Sequence, residues 1–175
     1  MTYELEPVRT QGMDVTIVSD ALAIPITLAE VKDHVNVDFT DSDDKLTALL
    51  ASAFREVELF TEKGLKTKTV RLSYTEINGT VQLPFDPIQS ITTVTDLDNV
   101  AITDYELSGD KTKLSAYSAS GIKITYVCGF ATLPQDLKNA VLDIVAIDFD
   151  NKVEDKRLAL KAVKDRIRHY RPLYV

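Results

Sequence analysis

The chain is poor in the residues that build chemical sites. It has one cysteine, two histidines and six glycines among 175 residues. The single Cys128 cannot close an internal disulfide, and it leaves no paired-cysteine metal motif. One unpaired thiol fits a reducing compartment, or a protein that does not need bridges. The glycines are scattered, so there is no glycine-rich phosphate loop. His34 and His169 lie near opposite ends of the chain, and each reads as a surface or interface residue rather than a ligand. No nucleophile elbow occurs, although a dispersed Ser-His-Asp set stays open at this level. No stretch approaches the roughly 20 apolar residues of a membrane span. The first residues carry Glu4 and Glu6 with no apolar run, which argues against a signal peptide. The expectation is a soluble chain with no cofactor, no metal and no catalytic residue.

The remaining composition is ordinary, at 45% hydrophobic and 27% charged. A chain of this size fits one domain and can bury a core without staples. The formal net charge of −7 hides a segregation. Residues 152–175 hold eight basic residues against three acidic ones, a net of +5. The preceding residues hold twelve basic against twenty-four acidic, a net of −12. Such a break suggests an electrostatically directed contact, or packing against copies of the chain. The plain alternative is a solvated basic helix.

Residues 1–25 read as an extended arm that pairs with the body or reaches a neighbour, with Val15 and Ile17 hinting at a short strand. A first helix is expected from about Leu28 to Val35, opened by the capping-box pair Thr27 and Glu30. Ser42 is expected to cap a long helix from about Asp43 to Lys63, with Gly64 as its stop. Its apolar positions are Leu46, Leu49, Leu50, Ala53, Phe54, Val57 and Phe60. Strands follow. Val70, Leu72 and Tyr74 alternate with polar residues, and Asn78-Gly79 is a strong hairpin signal leading to Val81 and Leu83. Pro84 and Pro87 interrupt the pairing. Ile88, Ile91, Val94 and Leu97 lie in a β-branched run, weaker strands flank Gly109-Asp110, and Ile122 to Cys128 alternate cleanly. Pro134 opens a third helix with Leu137, Ala140, Val141, Ile144, Val145 and Phe149 on its apolar face. A thinner last helix spans about Asp155 to His169. Helices segregated from antiparallel strands make an α+β domain, with no second core expected.

Two acidic clusters invite a metal-dependent reading: Asp41, Asp43 and Asp44, and Asp143, Asp148, Asp150, Glu154 and Asp155. Capping and dipole effects explain the first, and a polar helix face the second. Calcium-loop spacing is absent from both. The acidic body repels phosphate, so free DNA binding is not expected, whereas a conduit that faces DNA without gripping it is.

The run ITLAEVKDHVNVDFTDSDDKLTALL (Ile26–Leu50) resembles the opening of tailed-phage head–tail connector proteins, also called adaptors. LPFDPIQSITTVTDLD (Leu83–Asp98) is similar to that family's Pro-bracketed strand. So is ITYVCGF (Ile124–Phe130) with the Pro-started helix LPQDLKNAVLDIVA (Leu133–Ala146). Phe149, Asn151 and Lys152 stand where the family shows an aromatic, an Asn and a basic residue; Tyr or Trp and Arg are commoner at the first and last of these. The resemblance covers residues 26–152, a core domain between the arm 1–25 and a basic C-terminal helix and tail, 153–175.

The resemblance implies a virion protein of the neck, assembled in the bacterial host cytoplasm, in a ring of about twelve copies under the portal. Such a ring extends the channel for double-stranded DNA, without reading its sequence, and docks a stopper or tail-completion protein. It also implies that the C-terminal segment reaches the portal, which nominates Arg166, Arg168, His169, Tyr170, Arg171, Pro172, Leu173, Tyr174 and Val175. Two alternatives stay open. One is a stopper or tail-completion protein, which would be mostly β and lack the long capped helix. The other is a small acidic metal-dependent hydrolase.

Overall fold

The computed structural model describes residues 13–20, 23–75, 79–116, 121–150 and 155–172. Its elements are β1 (Met13–Asp20), α1 (Leu28–His34), α2 (Asp43–Thr61), β2 (Lys68–Tyr74), β3 (Thr80–Gln82), β4 (Ile88–Thr95), β5 (Tyr105–Leu107), β6 (Lys113–Ala116), β7 (Ile122–Cys128), α3 (Gln135–Phe149) and α4 (Lys156–Ile167). A 3-10 turn, Arg168–Tyr170, follows α4. The class is α+β, as the segregated pattern predicts.

The chain divides into a β unit, from the described parts of Met1–Ala21 and Lys66–Gly129, and a helical unit, from those of Leu22–Leu65 and Phe130–Val175. Each has its own hydrophobic cluster. The expectation of no second core is therefore corrected. The chain leaves the helical unit after Leu65 and returns at Phe130, so the strands between them close a core of their own. A linear reading cannot see that interleaving.

In the helical unit, α1 starts with the expected capping box. Thr27 Oγ1 accepts from the Glu30 amide at 3.3 Å, and Glu30 Oε2 accepts from the Thr27 amide at 2.8 Å. The carboxylate of Glu30 also takes a hydrogen bond from Lys138 of α3. That bond, followed by those from Thr27, holds its pKa down at about 2. Ser42 occupies the position before α2 but makes no side-chain cap, because its backbone (φ −104, ψ 2) lacks the extended geometry a capping hydroxyl needs. Asp43 instead pairs with Lys32 at 2.7 Å. The stop of α2 is Glu62, in the left-handed region at φ 57, two residues ahead of the expected Gly64. Leu65 is fully buried, and its amide donates to Glu58 Oε1 at 3.1 Å, closing the chain back on the helix. On α3, six residues are buried: Leu137, Ala140, Val141, Leu142, Ile144 and Val145. On α4 only Val163 and Ile167 are, while Leu158 is 62% exposed.

In the β unit, one sheet has the order β1-β2-β7-β4 and a second the order β3-β6-β5, every pair antiparallel. Val15 and Ile17 pair with Leu72 and Val70, so that part of the arm lies on the body. The hairpin expected at Asn78-Gly79 does not form between β2 and β3. Both edges of β2 are taken, by β1 and β7, and β3 pairs with β6 instead. Asn78 lies outside the described residues; Gly79 has the positive φ, 89°, that a turn demands.

The spacing of three in β4 has a backbone cause. Register shifts lie between Ile88 and Ser90 and between Ile91 and Thr93. Each gives the strand an extra residue, so every third side chain faces inward. Ile88, Ile91 and Val94 accordingly oppose Cys128, Tyr126 and Ile124, which are all fully buried. Cys128 is thus a core residue, and its thiol donates to the Lys68 carbonyl at 3.6 Å. Burial pushes the Tyr126 phenol up, and its hydroxyl donates to the Pro84 carbonyl at 3.1 Å.

Candidate functional site

The C-terminal segment nominated by charge is folded onto the helical unit. Ile167 is 1% exposed and anchors it in the core. One turn on, Tyr170 packs edge-on against Phe130, with ring centres 6.2 Å apart, and its hydroxyl donates to Asp136 at 2.9 Å. Burial, then this bond, raises the phenol's pKa. His169 lies with Nε2 3.6 Å from Asp136 and Nδ1 3.1 Å from the Arg166 carbonyl. Arg166 binds Asp143 of α3, which also meets His34 at 3.0 Å. Arg171 is extended ahead of Pro172, as the residue before a proline must be, and reaches Glu62 at 3.6 Å. Leu173, Tyr174 and Val175 lie outside the described residues.

These partners use up much of the excess positive charge. Lys164 pairs with Glu56 at 2.8 Å, and Lys156 donates to the Asp148 carbonyl at 3.3 Å. Among the described residues, Arg157, Lys161 and Arg168 have no ion pair. Their spacing of four and seven puts all three on one helical face, directed away from buried Val163 and Ile167. Of the cations nominated from sequence, Arg168 is the one that keeps its charge uncommitted.

A shallow groove of about 500 Å³ opens between α2 and the C-terminal end, lined by Ser52, Arg55, Glu56, Leu59, Phe60, Lys164 and Arg171. The Phe60 ring carries Arg171 at 5.3 Å and Lys164 at 5.8 Å, both within cation–π reach. Leu59 beside it is 54% exposed. At the other end of α2, the segment from the end of α1 to the first turn of α2, residues 33–44, carries five aspartates and no lysine or arginine, with Phe39 52% exposed among them. Sequence reasoning missed Asp136 and Asp143 as anchors for the tail. Their seven-residue spacing along one face of α3 is the signal that could have found them. It missed Phe39 and Leu59 as surface residues too, since exposure of one apolar side chain leaves no mark in the sequence.

Three members of the acidic clusters have structural roles. Asp43 holds Lys32, Asp143 holds His34 and Arg166, and Asp155 caps α4 by accepting from the Leu158 amide at 2.9 Å. Among the described residues no group of three or more His, Cys, Asp or Glu could hold a metal ion. Among them, too, no helix is long and apolar enough to cross a membrane.

The family model described as phage gp6-like head-tail connector protein matches residues 25–126, more than half of the chain. The chain belongs to the phage gp6-like head-tail connector family. Solved structures share the fold of this connector. A chain in the neck of an empty gene transfer agent particle, treated with C6 symmetry, superposes with a TM-score of 0.73 at 20% identity, covering 93% of this chain and 97% of that one. One in the neck of a native particle, with C12 symmetry, gives 0.70 at 20% identity over the same shares. A third, from the native virion, gives 0.68 at 20% identity over 92% and 96%. At that identity the likeness establishes the fold. No curated protein matches the connector.

Proposed function

We propose that this connector is a structural protein of the virion neck and not an enzyme. It forms a ring of about twelve copies under the portal, lengthens the DNA channel and offers a platform to the stopper or tail-completion protein. The family match carries this reading. The recurrence of the fold across nearly the whole chain in neck particles of six- and twelvefold symmetry supports it. So does the use of Asp43 and Asp143 in ion pairs and of Asp155 as a helix cap. The acidic body suits a lumen along which DNA slides without sticking.

Portal contact is assigned to Arg166, Arg168, His169, Tyr170, Arg171 and Pro172, with Leu173, Tyr174 and Val175 beyond them. Removing residues 166–175 would be a poor test, because it also removes Ile167 from the core. A chain ending at Tyr170 keeps that anchor, and Arg168→Glu reverses the uncommitted cation. Mixed with purified portal and viewed by electron microscopy, the intact connector should stack as a ring on the portal. Both variants should bind more weakly, with binding that weakens further as salt rises. An intact chain that does not join the portal overturns the connector reading. Full binding by both variants overturns the assigned contact.

A further inference from the structure

We propose that the first two turns of α4 dock a second copy of this chain, through the aspartates around its Phe39. The inference rests on the ring reading and names surfaces that would make the ring. Within the helical unit, Arg157, Lys161 and Arg168 are the described lysines and arginines without a partner. The others are engaged, as Lys32 is with Asp43 and Lys138 with Glu30. Arg157 and Lys161 lie one turn apart on one face of α4, and Leu158 beside them is 62% exposed. Arg168, assigned above to the portal, stands roughly 16 Å further along the axis. The start of α4 is therefore a small basic surface with an apolar side chain in it, and nothing within the chain neutralises it.

The complement is carried by the same chain. Asp38, Asp41 and Asp44 are exposed and have no ion pair among the described residues, and Phe39 among them is 52% exposed. No ion pair joins them to Arg157 or Lys161 within the chain, so both sets stay available to a second one. Charge alone would also draw a nucleic acid backbone to α4. Two side chains there favour protein instead. Asp165, four residues beyond Lys161, is exposed and unpaired on the same side of the helix, and its carboxylate repels phosphate. Leu158 gains nothing from phosphate, whereas the Phe39 ring can cover it while the aspartates meet the two cations. Neither surface complements itself, because like charge would meet like. Two different complementary surfaces make a heterologous contact, which closes into a ring or runs on as a filament.

Thr40 and Ala162 are both exposed, and cysteines there flank the contact while leaving Phe39 and Leu158 in place. Native Cys128 is buried and stays out of the reaction. Under mild oxidation of the full chain with purified portal present, Thr40→Cys/Ala162→Cys should give a ladder of covalent oligomers that extends beyond the dimer. The control Thr40→Cys/Leu59→Cys, whose second site is also open, should not. Adding Arg157→Glu and Lys161→Glu should slow the ladder about tenfold or more, and so should adding Asp38→Lys and Asp41→Lys in their place. All four reversals in one chain should restore it, because each surface again meets its opposite. A ladder no faster than the control overturns the proposal, as does one that the four reversals leave slow. Products that stop at the dimer overturn the heterologous arrangement, and crosslinking of the Ala162→Cys thiol to the portal overturns the choice of partner. Duplex DNA retained by the intact chain and released by Arg157→Glu/Lys161→Glu would assign the face to nucleic acid instead. Portal binding, read in the same samples, keeps the two readings apart. Binding without a ladder sinks this contact alone, and a ladder without binding sinks the connector reading alone.

Discussion

Replacing Ile167 by alanine is expected to loosen the whole C-terminal end. Ile167 is 1% exposed and, with Val163, forms the buried contact of α4. The change removes three carbon atoms from the core. At about 0.8 kcal/mol for each buried methylene, the transfer loss is about 2.4 kcal/mol. A residual cavity would raise the cost toward the upper part of the roughly 2–5 kcal/mol range for such changes. The site adjoins the end of α4, where neighbours can close in, so a cost of about 2–3 kcal/mol is expected. Amide hydrogen exchange is the fitting assay, because a chain with two cores need not unfold in one step. If α4 opens as a unit, 2.4 kcal/mol accelerates exchange of its amides roughly fifty-fold. Leu158→Ala on the same helix is the control. Leu158 is 62% exposed, and its loss should change stability by less than about 0.5 kcal/mol. Exchange in Ile167→Ala no faster than in Leu158→Ala would refute the claim that Ile167 anchors the segment.

Two further outcomes are expected. Gly121 sits at φ +81, and a Cβ there would meet the Tyr74 carbonyl at 2.4 Å and the Thr75 carbonyl at 2.9 Å; Gly121→Ala should therefore cost more than about 2 kcal/mol by urea titration, since backbone strain and a backbone clash add. Glu30 has its pKa lowered to about 2, so its contribution is present above its ordinary value near 4.5 and is lost as pH falls from there toward 2; between those limits wild type should lose more stability than Glu30→Gln, and parallel acid curves would contradict this.

The helices are legible in the sequence because their signals are local. Thr27 and Glu30 lie three residues apart, and the apolar period of α2 runs without a break from Leu46 to Phe60. The ends are less so. Glu62 takes the left-handed position although Gly64 stands close by, since where a helix stops depends on what Leu65 must reach. The Asn78-Gly79 signal fails as a hairpin for a similar reason. Turn chemistry is written in two residues, but pairing also needs a free edge, and β1 and β7 occupy both edges of β2. The three-residue spacing of Ile88, Ile91 and Val94 fits a helix as well as a strand with two bulges. Only the inward residues of β7 decide between them, and they are thirty to forty residues away.

Charge behaves in the same way and bears most directly on function. Along the sequence the break near residue 152 looks like an acidic body with a basic tail. In the helical unit the tail's Arg166 and His169 are spent on Asp143 and Asp136 of α3. What remains is the uncommitted face of α4, not a polarity along α2, whose last turn holds no basic residue. Aspartates surround Phe39 before the first turn of α2, and Lys164 and Arg171, which flank Phe60 in its last turn, are held by Glu56 and Glu62. A tail acting as a free basic arm would suit one partner of opposite charge. A tail pinned onto α2 and α3 presents one face instead, that of Arg157, Lys161 and Arg168. The first arrangement is what the sequence suggests, and the second follows only once α4 and the 3-10 turn are packed against α2 and α3. Of the cations proposed to meet the portal, Arg168 then carries the contact, because Arg166 and Arg171 are already held by Asp143 and Glu62. Charge reversal at Arg168 should therefore weaken portal binding more than reversal at Lys164, which breaks its pair with Glu56.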